Sequence, residues 1–315
     1  DEARYGIAQA YEDLKKGSEA EAIYCALAAK AESALADDSQ SRLALLLFAD
    51  NKYAESAAAY DELASRFPES PLATEAALSA GSAYYRAGDY ATAIVRYEKA
   101  AEYPEQLVTA RLGKGLSQKS LKQYADAATT FQQTYAAHPD DPVAERLLYY
   151  WADAEFNQGQ WEPAKTHFLD VVKRWPEGQF ADFSLYNAAE AALFSGQLDE
   201  SQQLIDRFAA EYSKSGLRLL VELLRGRLQV ERGGEEQLKQ ALVHFNNVLT
   251  ESTIARTQML ARRHLAATYL KMGDNASVVT ILEPVVADIK QQGASSEFTD
   301  VLVIRAESLL REKKY

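Results

Sequence analysis

A single cysteine, Cys25, stands in a chain of 315 residues. One thiol excludes an intramolecular disulfide and any multi-cysteine zinc or iron–sulfur site. Its neighbours Ala22, Ala26 and Ala29 suggest a small buried hydrophobe rather than a reactive thiol, because nothing beside it in sequence would lower its pKa. Long apolar runs are missing as well. The patch from Leu43 to Ala49 is short and falls inside an amphipathic period, so no segment of about 18 apolar residues is there to span a bilayer. Basic residues are in deficit, with 34 Lys and Arg against 46 Asp and Glu and a net charge of -12. That balance argues against nucleic acid, whose phosphates need a clustered cationic surface. The acidity is uneven: residues 1–210 hold 33 acidic and 19 basic side chains, and residues 211–315 hold 13 and 15. The initiator Met is also absent from Asp1, which is the expectation for a chain whose leader was removed or that was excised from something longer.

Catalytic signatures are absent too. There is no HExxH pair, nucleophile elbow, Cys–His pairing or dinucleotide fingerprint. RLGKGLSQKS, around residues 113–120, lacks the GxxxxGK[ST] spacing and a preceding strand. The histidines His138, His167, His244 and His264 read as surface or inter-repeat residues, and the pairs Asp140–Asp141 and Glu235–Glu236 as solvated caps. The reading is therefore no enzyme, no cofactor and no metal site.

What the chain does have is a repeat. Tyr53, Tyr90, Tyr124, Trp161 and Leu198 follow one another at gaps of 37, 34, 37 and 37 residues. Three residues after each lies a small side chain (Ser56, Ala93, Ala127, Ala164, Ser201), and seven after lies a large apolar one (Tyr60, Tyr97, Phe131, Phe168, Ile205). Nine before lies Ala44, Gly81, Gly115, Ala152 or Ala189, and a proline (Pro68, Pro104, Pro139, Pro176) closes four of the five. Spacings of three, four and seven share one helix face, so these side chains bury together. The small residues mark where two helices cross closely, and the prolines stop the second helix. Each unit is predicted to be a helix, a tight turn and a second helix. In YYRAGDYATA, Gly88 and Asp89 then form the turn and the helix start, not a catalytic loop.

The pattern resembles the tetratricopeptide repeat, best at Ala77–Ala100, where Gly81, Tyr84, Gly88, Tyr90, Ala93, Tyr97 and Ala100 match. The resemblance implies an all-α, right-handed superhelical solenoid forming one domain over residues 1–315. Its hairpins are expected near 2–36, 39–67, 71–103, 106–138, 143–175, 180–213, 217–251 and 255–292, followed by a terminal helix at 295–313. The seventh unit is expected to carry an expanded turn at Arg232–Gln237. Pro284, in the middle of a helix expected from Asn275 to Gln291, predicts an irregularity there. Ala306, nine residues before Tyr315, matches the opening of a ninth repeat, so the last helix either caps the array or belongs to a longer one.

The links FPESPLATEA, HPDDPVAERL and WPEGQFADFS are similar in style to those of bacterial envelope repeat proteins, of the Tol-Pal-associated and outer-membrane barrel-assembly types. That similarity implies a periplasmic or cell-envelope location, with the cytoplasm as the alternative. In the tetratricopeptide family the first helix of each hairpin lines a concave face that binds a protein or peptide segment. Carried onto this chain, that face would hold Phe48, Leu78, Tyr85, Arg86, Leu116, Lys119, Tyr149, Asp153, Phe156, Phe183, Tyr186, Glu190 and Phe194, with Leu45, Leu112 and Leu193 beside them. In the last hairpins it would carry Arg227, Arg263 and Lys271. The carboxylate clamp of some family members is missing, since its columns hold Leu112, Leu116 and Tyr149. Exposed aromatics in a row imply something that covers them. A partner segment, a self-associating copy or a cationic glycan, as in exopolysaccharide-export repeat domains, would each do so.

Overall fold

The computed structural model describes residues 1–30, 32–292 and 299–312. Among the described residues there are seventeen α-helices and no strand. They fall into two compact units, residues 1–160 and 161–315. The first unit holds α1 (Glu2–Asp13), α2 (Gly17–Ala28), α3 (Ala36–Ala49), α4 (Tyr53–Arg66), α5 (Pro71–Ala87), α6 (Tyr90–Ala100), α7 (Leu107–Ser120), α8 (Tyr124–Ala137) and α9 (Ala144–Asn157). The second holds α10 (Trp161–Arg174), α11 (Ala181–Phe194), α12 (Leu198–Glu211), α13 (Arg218–Arg232), α14 (Glu235–Glu251), α15 (Ala255–Met272), α16 (Asn275–Gln292) and α17 (Thr299–Arg311).

The sequence columns become helix positions. Tyr53, Tyr90, Tyr124, Trp161 and Leu198 are each the first residue of a second helix, and all are half-buried. The small column and the large apolar column are buried in all five repeats. Where the small residue is serine it meets the preceding helix directly: Ser56 Oγ donates to the Ala44 carbonyl at 2.8 Å, and Ser201 Oγ to the Ala189 carbonyl at 2.9 Å. A buried hydroxyl without an acceptor would cost about 1–3 kcal/mol, so serine can replace alanine there only because that carbonyl is in reach.

The glycines serve the rings. A Cβ on Gly81 would lie 2.8 Å from the Tyr97 ring, and one on Gly113 would lie 2.4 Å from the same ring. Tyr97 is thus held between glycines of α5 and α7. Gly115 makes the same room for Phe131, at 2.4 Å. Close packing of a large ring, rather than helix approach alone, is what offsets the helix-propensity cost of about 1 kcal/mol per glycine.

Each tight turn except that between α13 and α14 uses one left-handed residue two positions before the second helix. Gly88 takes it at φ 85°, Asp89 follows, and the Asp89 carboxylate caps α6 by accepting from the Thr92 amide at 3.1 Å. Asn51 and Lys122 adopt the same conformation, at φ 61° and 60°, without glycine's freedom. Pro68, Pro104, Pro139 and Pro176 all lie in the links that follow second helices. Pro71 opens α5, and Ser70 accepts from the Leu72 amide at 3.2 Å.

Several expectations need correction. Cys25 is exposed, because Tyr24, Leu27 and Ala28 turn to the core and place Ala22, Cys25, Ala26 and Ala29 on the solvent side of α2. No expanded turn follows α13: Gly233 and Gly234, at φ 68° and 89°, close it, and α14 starts at Glu235. α16 continues through Pro284 as one helix. It is pinned on one side by buried Val278, Leu282, Val285 and Val286, and Arg262 donates to the Ile281 carbonyl at 3.4 Å beside the proline. Tyr315, on which a ninth repeat was read, lies outside the described residues, as do residues 295–298 and 313 of the expected terminal helix.

Candidate functional site

In the first unit, the expected inner-face side chains are largely spent on one another. Phe48 packs edge-on against Tyr53 with centroids 5.2 Å apart, and Tyr85 does the same with Tyr90 at 5.4 Å. The Arg86 guanidinium sits over the Tyr53 ring at 5.3 Å. Lys119 pairs with Asp153 at 2.5 Å and lies 5.1 Å from the Tyr150 ring, against which Tyr149 packs edge-on at 5.2 Å. Leu78, Leu116 and Phe156 are half-buried, Leu78 against the core around Ala77, Ala93 and Tyr97. Leu112 was placed on the open face, but it is a core residue at 3% exposure. In the first unit Leu112 alone in its column is buried, on the helix whose Gly113 and Gly115 settle against the Tyr97 and Phe131 rings.

The second unit differs. Two adjoining cavities, of about 400 and 520 Å³, open along α11, α13, α15 and α17 and share Phe194, Arg227, His264 and Ala267. Tyr186, Glu190 and Phe194, three of the expected residues, line them, as do Arg227, Arg263 and Lys271. Phe183 is 43% exposed and lies outside both linings; Leu193 lines the smaller but is itself buried at 6%.

Charge in the larger cavity is matched internally. Arg227 is hydrogen-bonded to Glu190 and lies over the Phe194 ring at 5.1 Å, while Arg263 Nε meets Asp300 at 2.6 Å. Burial, with Glu190 beside it, holds the Tyr186 phenol well above its ordinary pKa, so it stays protonated. His264 stacks on Phe245 at 5.1 Å and 16°. Burial, followed by the nearby Arg227 and Arg263 charges, lowers its pKa to about 4 and keeps it neutral at pH 7. Lys271 lines the smaller cavity and has no ion-pair partner among the described residues.

Sequence reasoning missed His264, Ala267, Thr268, Phe245 and the leucines of the floor, although a signal was present. The lining falls in columns 37 residues apart: Tyr186, Leu223 and Leu260; Glu190, Arg227 and His264; Leu193, Val230 and Ala267; Phe194, Glu231 and Thr268. Extending the 37-residue register of the first half into the second names these twelve residues, but not Phe245, which comes from the second helix α14. Of the remaining histidines, His244 meets Glu222 through Nδ1 at 2.8 Å and lines neither cavity. Among the described residues no group of three His, Cys, Asp or Glu side chains could hold a metal ion, and no helix is long and apolar enough to cross a membrane.

Comparison with known proteins follows the same lines. Family models described as tetratricopeptide repeat match residues 41–106, 78–142 and 146–178. No curated protein sequence matches the chain. Among solved structures, the apo form of RapI superposes with a TM-score of 0.60 at 13% identity, covering 99% of this chain and 98% of its own. The C-terminal part of a TPR repeat-containing protein from Cytophaga hutchinsonii gives 0.57 at 14%, covering 83% and 98%. A tetratricopeptide repeat protein from Parabacteroides merdae gives 0.54 at 15%, covering 85% and 98%. At these identities the likeness is one of fold, a solenoid of helical hairpins, and the family models mark residues 41–142 and 146–178 as tetratricopeptide repeats.

Proposed function

We propose that the protein is a non-catalytic scaffold that holds a segment of a partner protein along the first helices of its second unit. Proteins of this repeat type generally mediate protein–protein interaction, and function on such a fold resides in the particular surface presented. One observation carries the assignment to this surface. The cavities of about 400 and 520 Å³ combine the exposed Phe194 ring and the half-buried Tyr186 and His264 with a leucine floor, in the volume range of roughly 300–1,000 Å³ typical of built binding sites. Aromatic and arginine side chains gathered around such a recess are the usual source of binding energy.

An acidic groove for a cationic glycan finds no support in this surface, because Arg227, Arg263 and Lys271 balance Glu190, Glu231 and Asp300 along it. A place in a bacterial envelope assembly is supported by the style of the inter-hairpin links. Fractionation of the full gene product would check it, and recovery solely in the cytosolic fraction would sink it. The scaffold reading is tested by affinity capture with the intact protein beside Phe194→Ala/Arg227→Ala. A partner that copurifies with the native chain should be lost from the variant at unchanged helical content. A partner retained by both would place the interaction elsewhere.

A further inference from the structure

Two rings, one in each unit, are held in the same way. Gly115 of α7 leaves room for the Phe131 ring of α8, and Tyr150 of α9 stacks on that ring at 5.9 Å and 28°. Gly226 of α13 leaves room for the Phe245 ring of α14, and His264 of α15 stacks on it at 5.1 Å and 16°. Each sandwich takes its glycine and its central ring from one hairpin and its outer ring from the next, so it fastens two hairpins together. The chemical difference lies in the outer ring. A phenol takes up no proton in acid, whereas an imidazole does.

The surroundings of His264 oppose that proton. The ring is half-buried and lines both recesses. The titratable and charged groups that share those linings are Tyr186 and Glu190 from α11, Arg227 and Glu231 from α13, Arg263 and Lys271 from α15, and Asp300 from α17, while α14 contributes the Phe245 ring. Cations and carboxylates balance in this cluster, so it is neutral only while the imidazole is. The Phe245 face would attract an imidazolium. Burial and the Arg227 and Arg263 guanidiniums outweigh that attraction, Asp300 offsets them only in part, and together they hold the ring's pKa at about 4. A proton on His264 is therefore better accommodated once the ring has left its place and met water.

We infer that the Gly226–Phe245–His264 sandwich is an acid-sensitive latch: proton uptake by His264 lifts α15 from α13 and α14 and parts the two hairpins, while the Phe131–Tyr150 sandwich stays closed. Both recesses are lined from α13 and α15, so the opening dismantles them. That consequence for a bound partner rests on the scaffold reading above, and the latch itself does not.

The test is hydrogen–deuterium exchange of the intact protein at pH 7 and pH 5, corrected for the intrinsic pH dependence of amide exchange. Opening in residues 218–272 should rise on the order of tenfold or more, because the ring regains an ordinary pKa of 6.5 when the latch opens. Residues 107–157 should stay protected. His264→Phe and His264→Tyr keep a stacking ring and should each abolish the rise, with circular dichroism as the check on folding. No rise in the native protein, an equal rise in both segments, or a rise that survives either substitution would overturn the latch. Should neither variant fold, the contrast between the two segments of the native protein decides. Because no partner is needed for this measurement, a failure of the scaffold reading leaves its result standing.

Discussion

The two units are built from the same hairpin and differ in what their first helices do with aromatic and charged side chains. In residues 1–160 those groups close on one another: Phe48 on Tyr53, Tyr85 on Tyr90, Arg86 over Tyr53, and Lys119 against Asp153. In residues 161–315 such groups pair too, Arg227 with Glu190 and over Phe194, Phe194 on Trp161, and Arg263 with Asp300, but two recesses are left beside Arg227 and His264. Glycine accounts for part of the difference. In the first unit Gly81, Gly113 and Gly115 bring α5 and α7 onto the Tyr97 and Phe131 rings. In the second, one such glycine, Gly226, receives Phe245 at 2.4 Å, and the ring's other side faces His264 in the cavity wall. A common backbone pattern thus yields paired inner-face groups in both halves, with a pair of adjoining recesses along α11, α13 and α15 in the second.

The largest test of that contrast removes a ring from each unit. Phe245→Ala and Phe131→Ala should each lower stability by about 3–5 kcal/mol, since both rings are fully buried. Chemical denaturation would measure it. Only Phe245→Ala should also abolish groove binding, and equal loss in both variants would show that the groove depends on the whole array.

The pH response is next. His264 has a folded-state pKa of about 4 against an ordinary value of 6.5, so the unfolded chain binds the proton more readily. Its contribution is complete above pH 6.5 and declines as pH falls toward 4, on the order of 2–3 kcal/mol. The native protein should therefore lose more stability between pH 7 and pH 4 than His264→Phe does, as read from denaturant midpoints. Identical pH profiles would remove His264 from the account.

Gly115→Ala should destabilise by about 1–3 kcal/mol through overpacking, despite alanine's better helix propensity. Gly88→Ala has open space around its Cβ and should cost only the strain of a left-handed residue, about 1 kcal/mol. If the two melting shifts were reversed, ring accommodation would not be why these glycines are there. The smallest effect belongs to Lys119→Met. Its partly exposed pair with Asp153 should be worth about 0.2–1 kcal/mol, with no change in groove binding.

Much of this was legible in the sequence. The elbow aromatics, the small-residue crossings and the prolines gave the hairpins, because local periodicity and steric fit act over a few residues and repeat with the chain. Tyr186, Glu190 and Phe194, assigned to the inner face by the family resemblance, line the two cavities. Cys25 and Leu112 were misread, since composition around a residue does not say which way a helix turns it. Pro284 was misjudged because packing around α16 outweighs a local breaker.

By itself, then, the sequence determined an all-helical array of hairpins, its turn chemistry and the 37-residue columns that line up across neighbours. Only the tertiary structure decided which of those columns stay open. Whether an arginine or an aromatic is free depends on the residue one repeat away and on how closely a glycine lets the helices settle, and that is a property of packing between hairpins rather than of any one of them.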